Sequence, residues 1–133
     1  MKAISAERVK AMNIGSTIKT ADNSGAKIVR ITGVKRGKSK KGRQIGCGVG
    51  DWVKVSVRKG NTEMVGKLFD AVIVRQKKPF RRKTGERIAF EDNAVVLLKD
   101  EKGNPKGTQV RGPIAREVSE RFPSIAKLAQ IIV

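Results

Sequence analysis

Residues 51–58 read Asp51-Trp-Val-Lys-Val-Ser-Val-Arg58. Val53, Val55 and Val57 alternate with Lys54, Ser56 and Arg58. A period of two puts the valines on one face of an extended chain and the polar residues on the other. The stretch is therefore a half-buried strand, with its inner face on a core and its outer face on solvent or a ligand. The same signature recurs on either side. Thr17-Ile-Lys-Thr20 and Lys27-Ile-Val-Arg-Ile-Thr32 read as shorter β segments. Between them lies Ala21-Asp-Asn-Ser-Gly-Ala26, whose Asp, Asn and Ser make local hydrogen bonds and whose Gly tolerates positive φ. Leu68-Phe-Asp-Ala-Val-Ile-Val74 and Ala94-Val-Val-Leu-Leu98 are nearly continuous apolar runs, as in central strands. Gly103-Asn-Pro-Lys-Gly107 marks a turn.

The period changes after Gly112-Pro113. Ile114, Val118 and Phe122 sit four apart with charged residues between them, which predicts an amphipathic helix with Pro near its first position. Pro123 interrupts it, and Ser124 is placed to cap a second short helix carrying Ile125, Leu128 and Ala129. The outline is mainly β: five or six closely spaced strands, then two short helices over about residues 113–130. Such spacing suggests a small closed barrel. The 133 residues suit one domain, 1–133, with no internal repeat and no dividing linker.

Charge narrows the function. The chain carries 30 Lys plus Arg against 12 Asp plus Glu, a net +18. A small domain needs only about 2 to 8 net charges for solubility, and self-repulsion at +18 opposes the compact state unless a polyanion screens it. Nucleic acid is the partner this composition favours. No apolar run approaches the ~20 residues of a bilayer span, and the N-terminal stretch lacks the apolar core and cleavage site of a signal peptide. The single Cys, Cys47, cannot form an internal disulfide, which suits a reducing cytosol.

Catalysis finds little support. The chain has no His and no Tyr, and its acids show no paired spacing. Cys47 has no His to activate it and reads as a packed thiol. One Cys and no His exclude a usual zinc site, so neither a catalytic residue, a metal nor a cofactor is expected. Gly37-Lys38-Ser39 resembles the end of a phosphate loop, but Thr32 stands where that motif needs Gly. Gly46, Gly48 and Gly50 miss the dinucleotide spacing and precede a strand, where that fingerprint should open a helix.

The cations are concentrated. Residues 1–90 carry 23 basic and 6 acidic residues, and residues 91–133 carry 7 and 6. Residues 35–43 hold Lys35, Arg36, Lys38, Lys40, Lys41 and Arg43 in a loop between strands, where Gly37 and Gly42 would let the backbone approach phosphates. The second segment, 75–87, holds Arg75, Lys77, Lys78, Arg81, Arg82, Lys83 and Arg87 between two core strands. It reads as a projecting basic ribbon able to follow a groove of structured RNA. Phe80 within it either stacks on an unpaired base or covers the ribbon's base. Only five aromatic residues occur, which argues for recognition of folded RNA by shape and backbone, and against an aromatic single-strand platform. The neutral C-terminal third reads as a helical lid through Ile114, Val118, Phe122, Ile125 and Leu128, or as a protein-contact face.

These residues carry a family resemblance. Ala21-Asp-Asn-Ser-Gly-Ala-Lys27, Gly48-Val-Gly-Asp51, Ala71-Val-Ile-Val-Arg75, Gly107-Thr108 and Gly112-Pro113-Ile114 look like the universal large-subunit ribosomal protein L fourteen family. The family's longer signature falls on Ala71, Val72, Ile73, Val74, Gly85, Phe90, Asn93, Val96 and Leu97. Thr84 departs from it, standing where the pattern has Asp, Asn or Ser. Phe90-Glu-Asp-Asn93, the longer N-terminus and Arg121-Phe-Pro123 resemble the archaeal or eukaryotic branch. The resemblance implies a five-stranded barrel with a β-ribbon and small C-terminal helices, in the cytoplasmic ribosome. It implies binding to large-subunit rRNA at the subunit interface and bridges to small-subunit rRNA. It also implies contacts with large-subunit protein three and, in that branch, with the L twenty-four e protein and the anti-association initiation factor six.

Overall fold

The computed structural model describes residues 2–133. In chain order the strands are β1 (Met12–Asn13), β2 (Thr17–Thr20), β3 (Ala26–Val34), β4 (Gly46–Cys47), β5 (Trp52–Gly60), β6 (Leu68–Arg75), β7 (Phe80–Arg81), β8 (Arg87–Ile88), β9 (Ala94–Leu97) and β10 (Val110–Ile114). Two short helices follow, α1 (Arg116–Arg121) and α2 (Pro123–Leu128), and then β11 (Ala129–Ile132). Strands β2, β3, β5, β6 and β9 close into a barrel in that order. All joints are antiparallel except the seam, where β2 and β9 run parallel with Lys19 opposite Ala94 and Thr20 opposite Val95.

The opening stretch behaves as its alternation requires. Val53, Val55 and Val57 are fully buried, while Lys54 and Arg58 are exposed. Each buried valine contributes roughly 1.5–3 kcal/mol relative to exposure. Strand β3 is the long partner of β5, and its register shifts at three places, including Ile31 to Gly33. Such bulges bend a strand and increase its twist, which helps a narrow barrel to close. Strands β6 and β9 lack alternation because both faces are covered: Ala71 to Val74 and Ala94 to Leu97 are all buried. The outer cover of β6 comes from the C-terminal part, where the Ala115 N–H donates to Val74 O at 3.2 Å.

That C-terminal part holds the two short helices expected, but the first does not start at residue 114. Ile114 ends β10, which pairs in parallel with β11, and the first helix begins only at Arg116. Gly112 takes a positive φ of 77° and the ring of Pro113 removes a backbone donor, so the chain stays extended here. Ser124 does not cap the second helix. Phe122 occupies the cap position with no side-chain cap bond, Pro123 is at the first helical position, and the Ser124 hydroxyl lies 3.2 Å from Asn104 Oδ1. Ala129 leaves the helix for β11. Ile114, Val118, Phe122 and Ile125 are nonetheless all buried, with the Phe122 ring tilted against Trp52 at 6.0 Å, and Leu128 is half-buried.

Candidate nucleic-acid interface

Residues 35–45 leave the barrel where β3 ends. The loop is anchored at its root, as Lys35 N–H donates to Trp52 O at 2.9 Å and Gly37 N–H to Val34 O at 3.1 Å. Arg36 and Lys41 adopt left-handed backbone conformations, φ 58° and 54°, which non-glycine residues rarely take. All six cations of the loop are exposed and none is paired with a carboxylate among the described residues. Lys35 Nζ lies 3.8 Å from the centre of the Trp52 ring.

The second basic segment is a short hairpin. Phe80 pairs with Ile88 and Arg81 with Arg87. At its tip Gly85 takes φ 95° and its N–H donates to Arg82 O at 2.9 Å. Gly85 alone carries the positive φ, so Thr84 is accommodated in ordinary backbone. The root is tied down by Gln76, which is buried: its Oε1 accepts from Val49 N–H at 2.7 Å and its Nε2 donates to Lys78 O at 2.8 Å. Asn93 Oδ1 accepts from Lys77 N–H at 2.7 Å.

Surroundings set three of the hairpin's sequence-derived candidates apart: Phe80 takes the covering place of its two readings, and Arg75 and Arg82 are turned inward. Phe80 is 4 % exposed and belongs to the core, so it offers no face to a base. Arg82 is buried: its Nε donates to Glu117 Oε1 at 2.7 Å and its Nη2 to Val133 O at 2.5 Å. Arg75 is bound to Asp92 at 2.9 Å and donates to the carbonyls of Arg111 and Pro113. Both arginines hold the fold together and neither is a free cation. Lys77, Lys78, Arg81, Lys83 and Arg87 remain exposed and, among the described residues, without a carboxylate partner. With the loop they make eleven exposed cations.

Sequence reasoning missed the N-terminal strap. Residues 4–10 lie along residues 46–50, bringing Arg8 and Lys10 beside the basic loop. The signal was present in Gly46-Cys-Gly-Val-Gly50. A Cβ on Gly46 would sit 2.6 Å from the Lys10 stem, and one on Gly48 would sit 2.7 Å from Val9 O. These glycines are the bed of the strap. Arg8 Nη2 donates to Asp51 Oδ2 at 3.1 Å, and the same oxygen accepts from Gly48 N–H at 2.9 Å. At the near end of the hairpin, Glu7 N–H donates to Arg81 O at 2.9 Å.

Cys47 is fully buried, and burial first, then the Asp51 charge, push its thiol up to about 12. It is a packing residue, inert as a nucleophile. No group of three or more His, Cys, Asp or Glu side chains among the described residues is placed to hold a metal ion. Among the described residues no helix is long and apolar enough to cross a membrane.

Residues 11–133 match the family described as ribosomal protein L14p/L23e. The chain belongs to this family of ribosomal proteins. It is 54 % identical over 133 residues to the large ribosomal subunit protein uL14 of Nanoarchaeum equitans, covering all of both chains. Full-length matches to the same protein of Methanothrix thermoacetophila and Halobacterium salinarum stand at 48 % and 47 %. These relatives are archaeal, in accord with the branch indicated by Phe90-Glu-Asp-Asn93. Like other L14p/L23e members the chain is a structural protein of the large subunit of the cytoplasmic ribosome and not an enzyme.

Proposed function

We propose that the chain binds large-subunit rRNA through its two exposed basic segments and sits at the subunit interface, where it contributes to bridges with small-subunit rRNA. The observation that carries this reading is the set of eleven exposed cations without carboxylate partners, held by an anchored loop and a pinned hairpin. Cations held at fixed spacing displace condensed counterions from a phosphate surface with less ordering cost than a flexible tail. Phe80 is buried, which supports backbone recognition over base stacking. The near-neutral C-terminal part has little net charge with which to hold a polyanion, and it exposes Ile131 and Ile132 on β11. This supports contacts with neighbouring proteins there, and the family resemblance adds large-subunit protein three, the L twenty-four e protein and the anti-association initiation factor six as the partners.

The test uses Arg81→Glu, Lys83→Glu and Arg87→Glu together, leaving buried Arg82 in place. Affinity for large-subunit rRNA should fall, and the slope of log affinity against log salt should flatten by about two to three. An unchanged slope would remove the hairpin from the interface. Residue-level crosslinking in assembled ribosomes then assigns each segment to large- or small-subunit RNA.

A further inference from the structure

Two adjoining hollows separate the N-terminal strap from the basic loop. The first, about 300 Å³, is lined by Arg8, Lys35, Arg36 and Arg121 with Asp51 and Trp52. The second, about 370 Å³, is lined by Arg8, Lys10, Arg36, Lys38, Lys40 and Arg43 and by no acid. Arg8 and Arg36 are common to both, so the hollows form one cleft with cations along its length. Among the described residues Asp51 is the sole carboxylate on its wall, and one of its oxygens already accepts from Arg8 and Gly48. Arg121 stands at the inner end, with Nη1 donating to Gly50 O at 3.1 Å and its buried Nε left without a partner. Burial and then the Arg8 and Arg36 charges weigh against the Arg121 charge, with Asp51 opposing.

We infer that this cleft seats consecutive phosphates of one RNA strand, with Arg8 and Arg36 between the two seats and Lys10 and Arg121 toward its ends. The inference rests on the RNA-binding reading and sharpens its loop segment, adding Arg8 and Lys10 of the strap and Arg121 of α1 to the loop cations. Like charges clustered along a concave surface repel one another when it is empty, and an anion entering it is favoured. A free nucleotide fits less well, because it needs a face for its base. The one aromatic residue on the wall, Trp52, is 5 % exposed and is already covered by Lys35 and Phe122. The cleft also explains the strap and its glycine bed: without residues 4–10 the basic loop would be one open wall. The family match begins at residue 11, while the full-length matches to the archaeal relatives include the strap that completes the cleft.

The test compares the parent chain with Lys10→Gln/Arg36→Gln, two exposed side chains, and with Arg81→Gln/Lys83→Gln in the hairpin. Each is assayed for large-subunit rRNA affinity across salt and by phosphate-ethylation interference. The cleft variant should lower the salt slope by about two and release neighbouring phosphates that differ from those released by the hairpin variant. Gly46→Ala, which keeps every charge but displaces Lys10, should release the same phosphates as the cleft variant. If the double variant does not fold, Lys10→Gln alone should lower the slope by about one. A cleft variant that keeps the parent slope and every interfering phosphate, while the hairpin variant loses its own, overturns the cleft and leaves the RNA-binding reading intact. A parent chain whose binding ignores salt overturns both. Titration with AMP should give no saturable response, and a saturating, base-dependent one would assign the cleft to a free nucleotide and overturn the proposal.

Discussion

Asp22 shows how one side chain holds the barrel seam. Strand β2 ends at Thr20 opposite Val95, so on that edge of β9 the Leu97 N–H has no β2 residue facing it. The Asp22 carboxylate takes over as acceptor: Oδ2 receives the buried Leu97 N–H at 3.0 Å and Oδ1 the Ser24 hydroxyl at 2.8 Å. Beside it Asn23 Oδ1 accepts from Thr108 N–H at 2.8 Å, tying the turn to the segment before β10. Burial raises the Asp22 carboxyl above its ordinary range, and the bonds from Ser24 and Leu97 only partly oppose this. A raised acid holds more protons in the folded chain than in the unfolded one, so its contribution to stability falls as pH rises through that window. An asparagine keeps an acceptor for Leu97 and has no such dependence. Urea unfolding of Asp22→Asn and the parent at pH values from about 3 to 7 should therefore show the difference moving in favour of the variant as pH rises. The opposite trend would mean that the hydrogen bonds outweigh burial and hold the carboxyl low.

The hairpin of β7 and β8 is held from behind by the Arg82–Glu117 pair, which joins it to α1. Both side chains are buried. Removing one partner of a buried pair leaves an uncompensated charge, at about 3–5 kcal/mol, whereas replacing both by apolar groups is close to neutral. Glu117→Leu should lower the unfolding free energy by that amount, and Glu117→Leu with Arg82→Met should recover most of it in denaturant titrations. A neutral single variant would show that the guanidinium finds other partners there, such as Val133 O. This pair also shows where sequence reading stops. The seven cations of residues 75–87 look equivalent in one dimension. Which of them are internal depends on Asp92, 17 residues from Arg75, and on Glu117, 35 residues from Arg82. Alternation in β5 and the apolar runs of β6 and β9 were legible because each strand carries its own pattern. The end of β10 was not, because Ile114 falls on a helical spacing with Val118 and only its pairing with β11 makes it a strand. The strap was hidden for a related reason: residues 4–10 have no period of their own, and the glycines that receive them lie some forty positions away.

Across the whole molecule the charge follows the architecture. The barrel, loop and hairpin hold nearly all of the net +18, while residues 91–133 are close to neutral. One body thus presents a polyanion-binding side and a side suited to protein neighbours. The free protein must bear the resulting self-repulsion, and two electrostatic terms then respond to salt in opposite directions. Screening weakens ion pairs, but Arg82–Glu117 is buried and the Arg75 and Asp51 side chains of the other two pairs are largely so. Buried pairs are screened little. The exposed unpaired cations are far more numerous, and their mutual repulsion beyond about 10 Å is largely screened once salt reaches about 0.1 M, with closer pairs screened further as salt rises. Repulsion therefore decides the sign. The melting temperature of the isolated chain should rise between about 0.02 and 0.3 M sodium chloride, a range over which screening changes most. Chloride is the appropriate anion because sulfate strengthens apolar burial in its own right. At fixed ionic strength, an inorganic polyphosphate that binds only the folded chain should raise the melting temperature further, in proportion to the logarithm of its concentration above its dissociation constant. The hairpin variant Arg81→Gln/Lys83→Gln should melt higher than the parent in low salt and converge with it in high salt, since it removes two of the repelling charges. A parent chain whose melting temperature falls with chloride would mean that its few ion pairs, and not its crowded cations, govern the fold, and the excess charge would then need no RNA to balance it.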